Sequence, residues 1–368
     1  MTENLKQTSL YDEHVALGAA FTDFGGWQMP VRYTSDLTEH AAVRSAAGIF
    51  DISHMAEFFV IGNQAAEFLD HALVGVASEI EVGRAKYSLI TDEQGRVLDD
   101  LIVYRLEPEY FLVISNAGNR ETVAAAFANR TANFDVKLTD VSDEFSLIAV
   151  QGPLAVEIMK RSTDEPIDEL KYYSIHAGKF AGSDAFFART GYTGEDGFEL
   201  LVKNADAVKV WRTLLETGAS DGLIAAGYAA RDTLRLEAGM PLYGHEMTLD
   251  TTPFEAGFAK VLRLEHDFVG AEPLRALSAT EPSRRLVGLV GEGKRAARAD
   301  YELFENEDGG TSVGFITSGA LSPTLGYPVA MAYLNTELAS PDTEVWVDVR
   351  GTRQPMQVVK LPFYKRKK

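Results

Sequence analysis

The sequence contains no cysteine. That absence removes disulfides, thiolate nucleophiles, zinc knuckles and protein-ligated iron–sulfur clusters together, so any sulfur chemistry must use a thiol brought by another molecule. Positive charge is also scarce: 35 Lys and Arg stand against 54 Asp and Glu in 368 residues, a formal net charge of −19. Nucleic acid and anionic membrane surfaces carry the same sign as the protein, which argues against both as partners. No stretch approaches the roughly 20 apolar residues that span a bilayer, and the first nine residues lack an apolar signal core. A soluble, cytoplasmic protein is expected.

What is present is ample apolar material, 46% of the residues, enough for two or three domains with real cores. Helix and strand signals alternate throughout without repeats or a long Pro/Gly/Ser linker. Ser35 and Asp36 predict a capped helix through Ala47, stopped by Gly48; residues 57–61 read as a strand; Asn63 opens a helix with Ala66, Leu69 and Leu73 on one face. Residues 86–90 and 97–106 form a hairpin signal around the turn at 92–95, followed by a strand at 110–115 and a helix at 120–129. Further strands are expected at 145–151 and 185–190, and helices at 206–216 and 225–237, the last ended by Gly239 and Pro241. Sheet and helix mixed at this density point to α+β rather than a doubly wound sheet. Past Pro282 the texture changes to short β runs at 286–290, 313–317, 329–334, 345–349 and 356–360, the spacing of a small all-β barrel.

Several familiar patterns fail in context. Residues 288–294 (GLVGEGK) have the spacing of a phosphate loop, but Arg295 stands where a hydroxyl must meet magnesium, so they read as a strand end. The partial dinucleotide pattern at Gly291 lacks a following βαβ unit. The seven histidines form no i, i+4 pair, and without cysteine a metal site would need distant carboxylates, so no metal is expected. No GxSxG elbow is present. His54 and His245 read by default as hydrogen-bonded structural residues.

Three features invite chemistry. Asp99 and Asp100 lie within an apolar run (residues 97–104, VLDDLIVY), where strand geometry sends them to opposite faces, each beside apolar neighbours. A carboxylate on such a surface is costly unless a partner or ligand bonds it, which marks a site; the alternative is a strand beginning only at Leu101, with both acids in a solvated turn. Residues 189–200 (RTGYTGEDGFEL) form a Gly-punctuated loop, whose glycines suit either a flat ligand's close approach or a tight turn, and a strand that points Glu199 away from Phe198 and Leu200. Arg231 and Arg235 share a helix face at i, i+4, either paired with nearby acids or placed to receive a ligand carboxylate.

Residues 24–30 (FGGWQMP), 51–55 (DISHM), 95–103, 115–118 (SNAG), 151–153 (QGP), 191–197, 229–246 and 314–325 (GFITSGALSPTL) follow one another as in the aminomethyltransferase (T-protein) family of the glycine cleavage system, which this chain resembles over nearly its whole length. The resemblance implies a three-domain cloverleaf around a central folate site with a C-terminal β-barrel: residues 1–50 with about 140–245, about 51–139 with 246–281, and about 282–368. It implies transfer of a methylene from the S-aminomethyl-dihydrolipoyl group of H-protein to tetrahydrofolate, releasing ammonia, alongside the glycine decarboxylase (P) and dihydrolipoamide dehydrogenase (L) proteins. The missing cysteines then make sense, because the sulfur arrives on the partner.

By the same resemblance Asp100 matches the catalytic acid, bonding the folate near N10, and Asp99 is structural. Tyr87, Asn116, Tyr192 and Glu199 match pterin-pocket positions, and Arg231 matches the receiver of the glutamyl carboxylate. The chain departs from the pattern at Lys260, where relatives place an aromatic residue; Phe258 could supply that packing. The tail at residues 364–368 fits one that approaches the folate's glutamates. Two other readings use a similar fold: a folate-binding iron–sulfur assembly factor, whose loop cysteine is missing here, and a folate-dependent demethylase of a small methylated substrate, which H-protein dependence would separate.

Overall fold

The computed structural model describes residues 5–366 and is α+β. Contacts divide the chain into two compact units, one of residues 1–90, 100–191 and 195–231, the other of 91–99, 192–194 and 232–368.

The first unit carries a six-stranded sheet in the order Ile175–Phe180, Ser183–Ala188, Gly197–Lys203, Phe145–Gln151, Ala47–Asp51, Leu223–Ala225, antiparallel except for its last pair. Every residue of Ala47–Asp51 and Phe145–Gln151 is buried, as suits strands covered on both faces. The helix Asn204–Gly218 lays Ala207, Val210, Trp211 and Leu214 into the core beside Ile148, Phe187 and Phe198, the i, i+3, i+4, i+7 spacing of one helix face.

Three helix boundaries differ from the sequence expectation: the helix expected from Asn63 runs Ala65–Ala72 and buries Ala65, Phe68, Leu69 and Ala72, with Leu73 extended beyond its end. The helix capped by Ser35 ends at Ser45, and Ala47 opens a strand. The strand lies so close to the helix that a Cβ on Gly48 would stand 2.5 Å from Val43 Cγ2, and this tight packing rather than helix termination explains the glycine. The helix expected from Ala225 begins at Tyr228; Gly222, in the left-handed region (φ +83°), instead turns the chain into Leu223–Ala225, which pairs parallel with residues 47–49.

The second sheet runs Arg84–Thr91, Val97–Glu107, Tyr110–Ser115, Ala56–Ile61, Lys137–Asp140. It contains an unusual side chain. Glu57 is 0% exposed and neither carboxylate oxygen has a partner. Burial pushes its pKa well up; the Arg120 guanidinium opposes this but is committed to Asp140 and Asp143. Because the folded chain then holds a proton that the unfolded chain releases, Glu57 lowers stability progressively as pH rises above the unfolded value of about 4.3. Glu57→Leu is expected to raise Tm at pH 8 by about 2–5 °C and to flatten its decline between pH 5 and 8, since the apolar side chain removes an unsatisfied buried group. A lower Tm in thermal melts across that range would contradict the assignment.

The second unit contains a closed six-stranded barrel ordered Arg284–Gly291, Pro328–Asn335, Gly309–Leu321, Glu302–Asn306, Glu344–Val349, Thr352–Val359, and back to the first. Leu289, Leu303, Ile316, Ala332, Val347 and Val358 are among the side chains filling it. Five strands match the short β runs of the sequence. The sixth, Glu302–Asn306, escapes the pattern because two register shifts interrupt its pairing and only Leu303 and Phe304 are buried. The phosphate-loop look-alike is indeed a strand end, closing at Gly291. Among the described residues no helix is long and apolar enough to cross a membrane.

Candidate active site

The strand containing the acid pair begins at Val97, not Leu101, and its burial alternates. Asp99 is 0% exposed with Val97, Leu101 and Val103, while Asp100 is half-buried on the opposite face. Register supplies its partner: Leu101 lies opposite Ser115, so Asn116, next along, reaches Asp100. Asn116 Nδ2 donates to Asp100 Oδ1 (2.8 Å), and Tyr87 Oη, from the strand Arg84–Thr91, donates to Oδ2 (3.0 Å). Burial drives the Asp100 pKa up to about 6, against these two hydrogen bonds, which favour the anion. The carboxyl is therefore ionised near neutrality, and enclosed enough for its charge to be felt strongly by a cation beside it.

Glu199 lies mid-strand, registered between Ala188 and Ala149. It accepts from Thr190 Oγ1, which also shares a 3.1 Å hydrogen bond with Tyr104 Oη. Burial raises the Glu199 pKa, opposed by the Thr190 hydrogen bond and the positive charge of Arg231. Tyr104 stands on the same strand face as Asp100, and Tyr173 feels the negative charge of both Asp100 and Glu199. Within the first unit Glu199 is thus linked electrostatically to Arg231, and Tyr173 to both Glu199 and Asp100, while Tyr87 and Asn116 bond Asp100 and Thr190 bonds Glu199 and Tyr104. Thr190, Tyr104 and Tyr173 were not legible as site residues. Tyr173 carries a backbone signal, a non-glycine φ of +60°, that only coordinates reveal.

The Gly-punctuated loop is accounted for largely by packing. A Cβ on Gly191 would stand 2.0 Å from Gln151 Oε1, and one on Gly197 2.3 Å from the Val150 carbonyl oxygen. Gln151 Nε2 donates to the carbonyls of Thr190 (3.0 Å) and Phe198 (3.4 Å), fixing the loop base. Glu195 and Asp196 are held by Arg44 and Arg189.

Tyr192 belongs to the second unit, where its hydroxyl donates to the Pro241 carbonyl. Arg235, the helical neighbour of Arg231 in the sequence pattern, is not placed to receive a ligand: it is buried and bound to Glu246, Asp232 and Ser318. Lys260 is exposed in a turn and Phe258 is half-buried. Of the basic tail, Lys367 and Lys368 lie outside the described residues.

Residues 10–266 match the GCVT N-terminal domain and residues 284–365 the glycine cleavage T-protein C-terminal barrel domain. The chain belongs to the glycine cleavage T-protein family. It is 52% identical over 363 residues to an aminomethyltransferase of Saccharopolyspora erythraea, covering 98% of each chain. It is also 52% identical to that of Streptomyces avermitilis, over 99% of this chain and 98% of the relative. Among solved structures it is similar to glycine cleavage system aminomethyltransferase T from Bartonella henselae, with a TM-score of 0.93 and 37% identity over 98% of this chain and 99% of that one.

Proposed function

We propose that this aminomethyltransferase takes the methylene from S-aminomethyl-dihydrolipoyl H-protein and passes it to tetrahydrofolate, giving 5,10-methylenetetrahydrofolate, ammonia and dihydrolipoyl H-protein. Family membership at about half identity over the full length supports aminomethyl transfer and its dependence on folate. The observation that carries the finer reading is Asp100, a partly enclosed carboxyl poised near neutrality and gripped through both oxygens. The reaction balances without a redox partner: the carbon–sulfur and carbon–nitrogen bonds of the aminomethyl group break, bonds to the folate's N5 and N10 form, and the two displaced hydrogens leave on ammonia and the thiol.

In this reading Asp100 bonds the folate near N10 and stabilises the cation developing on the transferred carbon, while Tyr87 and Asn116 keep its oxygens aimed. Such a charge acts most on a state more positive than the ground state, which is how it lowers the barrier. Glu199, anchored by Thr190, meets the polar edge of the pterin. Tyr87, Asn116 and Tyr192 complete the pterin pocket, and Arg231 receives the glutamyl carboxylate away from the chemistry. The division into residues 1–50 with 140–245, 51–139 with 246–281, and 282–368 belongs to the same reading, as do a cytoplasmic location and operation beside the P and L proteins.

The test is direct. Pure protein mixed with aminomethylated H-protein and tetrahydrofolate should release ammonia and methylenetetrahydrofolate; release that ignores folate, or none, ends this reading. Arg231→Ala should raise the KM for polyglutamylated tetrahydrofolate roughly tenfold or more with little change in kcat, as expected for a charge-assisted contact made equally before and during the reaction. An unchanged KM would move the anion site elsewhere.

A further inference from the structure

Two motif segments that the folate reading leaves without a task meet the helix that carries Arg231. Phe24 and Met29 from the first motif, Phe50 and His54 around the second, and Tyr228 and Arg231 from the helix line a cavity of about 10 Å³, close to the space one water needs. Apart from Asp51 and Arg231 its walls are mostly apolar or aromatic: the His54 ring stands edge-on to Phe24 at 5.3 Å, and Phe24 packs on Tyr228 at 4.2 Å. His54 is 4% exposed, and its Nδ1 is buried without a partner.

The charges around this ring are few. Asp51 also lines the cavity, but its carboxylate is already bound by His14, Thr8 and the Ser53 N–H. Burial and the Arg231 charge hold the imidazole neutral, its pKa down at about 4, with Asp51 acting weakly the other way. A neutral imidazole offers one N–H and one lone pair, and a buried one is costly to leave unsatisfied. An apolar residue would fill the same volume without that cost, and a second cation would repel Arg231.

We propose that His54 is a positioning residue for Arg231, acting through one water-sized hydrogen-bonding molecule held in this cavity. The molecule accepts from the guanidinium and donates to the imidazole lone pair. The guanidinium is thereby fixed where an incoming carboxylate must find it, and affinity rises because less side-chain freedom is lost on binding. This rests on the assignment of Arg231 to the folate carboxylate.

The experiment compares KM and kcat for tetrahydrofolate in wild type, His54→Phe, His54→Gln, Arg231→Ala and the double variant His54→Phe/Arg231→Ala. His54→Phe should raise KM roughly tenfold with kcat within about threefold, and His54→Gln, whose amide oxygen replaces the lone pair, should recover most of that loss. The double variant should be no worse than Arg231→Ala alone, because the two act in series; a merely structural histidine would add its own defect. Additive losses, or a wild-type KM in His54→Phe, overturn the proposal. A wild-type KM in Arg231→Ala sinks the folate assignment instead. Should His54→Phe fail to fold, ¹⁵N-imidazole NMR decides: the His54 titration should move to higher pH in Arg231→Met, and an unmoved titration refutes the coupling.

Discussion

Asp100→Asn is expected to lower kcat by about 10²-fold or more while leaving Tm within a few degrees of wild type, the size of effect seen when a positioned charge is removed from a reacting centre. The substitution keeps the shape and both neighbours. The amide can still accept from one of Tyr87 and Asn116, and its NH2 can turn to the tyrosine oxygen, so the strand pairing that places it has no reason to change. What disappears is the negative charge. The pH profile gives a second check with a definite sign. The anion is the working form, so wild-type kcat/KM should fall tenfold per unit as pH drops below about 6, the value to which burial lifts this carboxyl in the free protein. Asn cannot titrate, so the residual activity of the variant should lack that limb. Wild-type turnover in Asp100→Asn, or the same limb in both proteins, would remove Asp100 from the chemistry.

The largest stability effect is expected in the second unit. Arg235 donates to Glu246 Oε2 (2.9 Å), to Ser318 Oγ (2.8 Å) and to Asp232 Oδ1 (2.9 Å), tying the helix end to the loop at 240–246 and to the barrel strand Gly309–Leu321. Glu246 is 0% exposed and also accepts from the Leu242 N–H. Removing one partner strands the other charge in a buried site, a loss of about 3–5 kcal/mol. Arg235→Met should therefore lower Tm by roughly 5–15 °C. Pairing it with Glu246→Leu should restore part of the loss, because the uncompensated carboxylate is gone as well. Calorimetry showing Arg235→Met within 2 °C of wild type would mean that the pair is not a structural tie.

These two residues also show how far the sequence could be read. The pair Asp99 and Asp100 stood out because an acid inside an alternating apolar run is costly, and alternation is a local property; the choice of Asp100 came from the family resemblance. Helical spacing, local too, put Arg231 and Arg235 on one face but left open whether acids or a ligand carboxylate would take them. The answer for Arg235 lies far along the chain, where Glu246 and Ser318 claim it. The partners of Asp100 and Glu199 follow the same rule. That Asn116, already named by resemblance, bonds Asp100 shows only once Leu101 is known to face Ser115, and that Thr190 bonds Glu199 only once the strand bearing Glu199 is seen beside Ser183–Ala188. Strands survived the reading where an apolar run is well bounded, whether it alternates, as at Val97–Glu107, or is buried throughout, as at Phe145–Gln151. They failed where bulges interrupt the pairing, as at Glu302–Asn306, or where a three-residue strand abuts a helix, as at Leu223–Ala225.

The strand order also fixes a timetable. Ala47–Asp51 pairs with Phe145–Gln151 on one side and Leu223–Ala225 on the other. Emerging from the ribosome, it has no partner until the chain has grown far beyond it, a delay that makes such non-local pairing slow to form. All five strands of the other sheet come from residues 56–140. Tyr87, Asp100 and Asn116 are therefore synthesised, with every strand that holds them, before Glu199 exists.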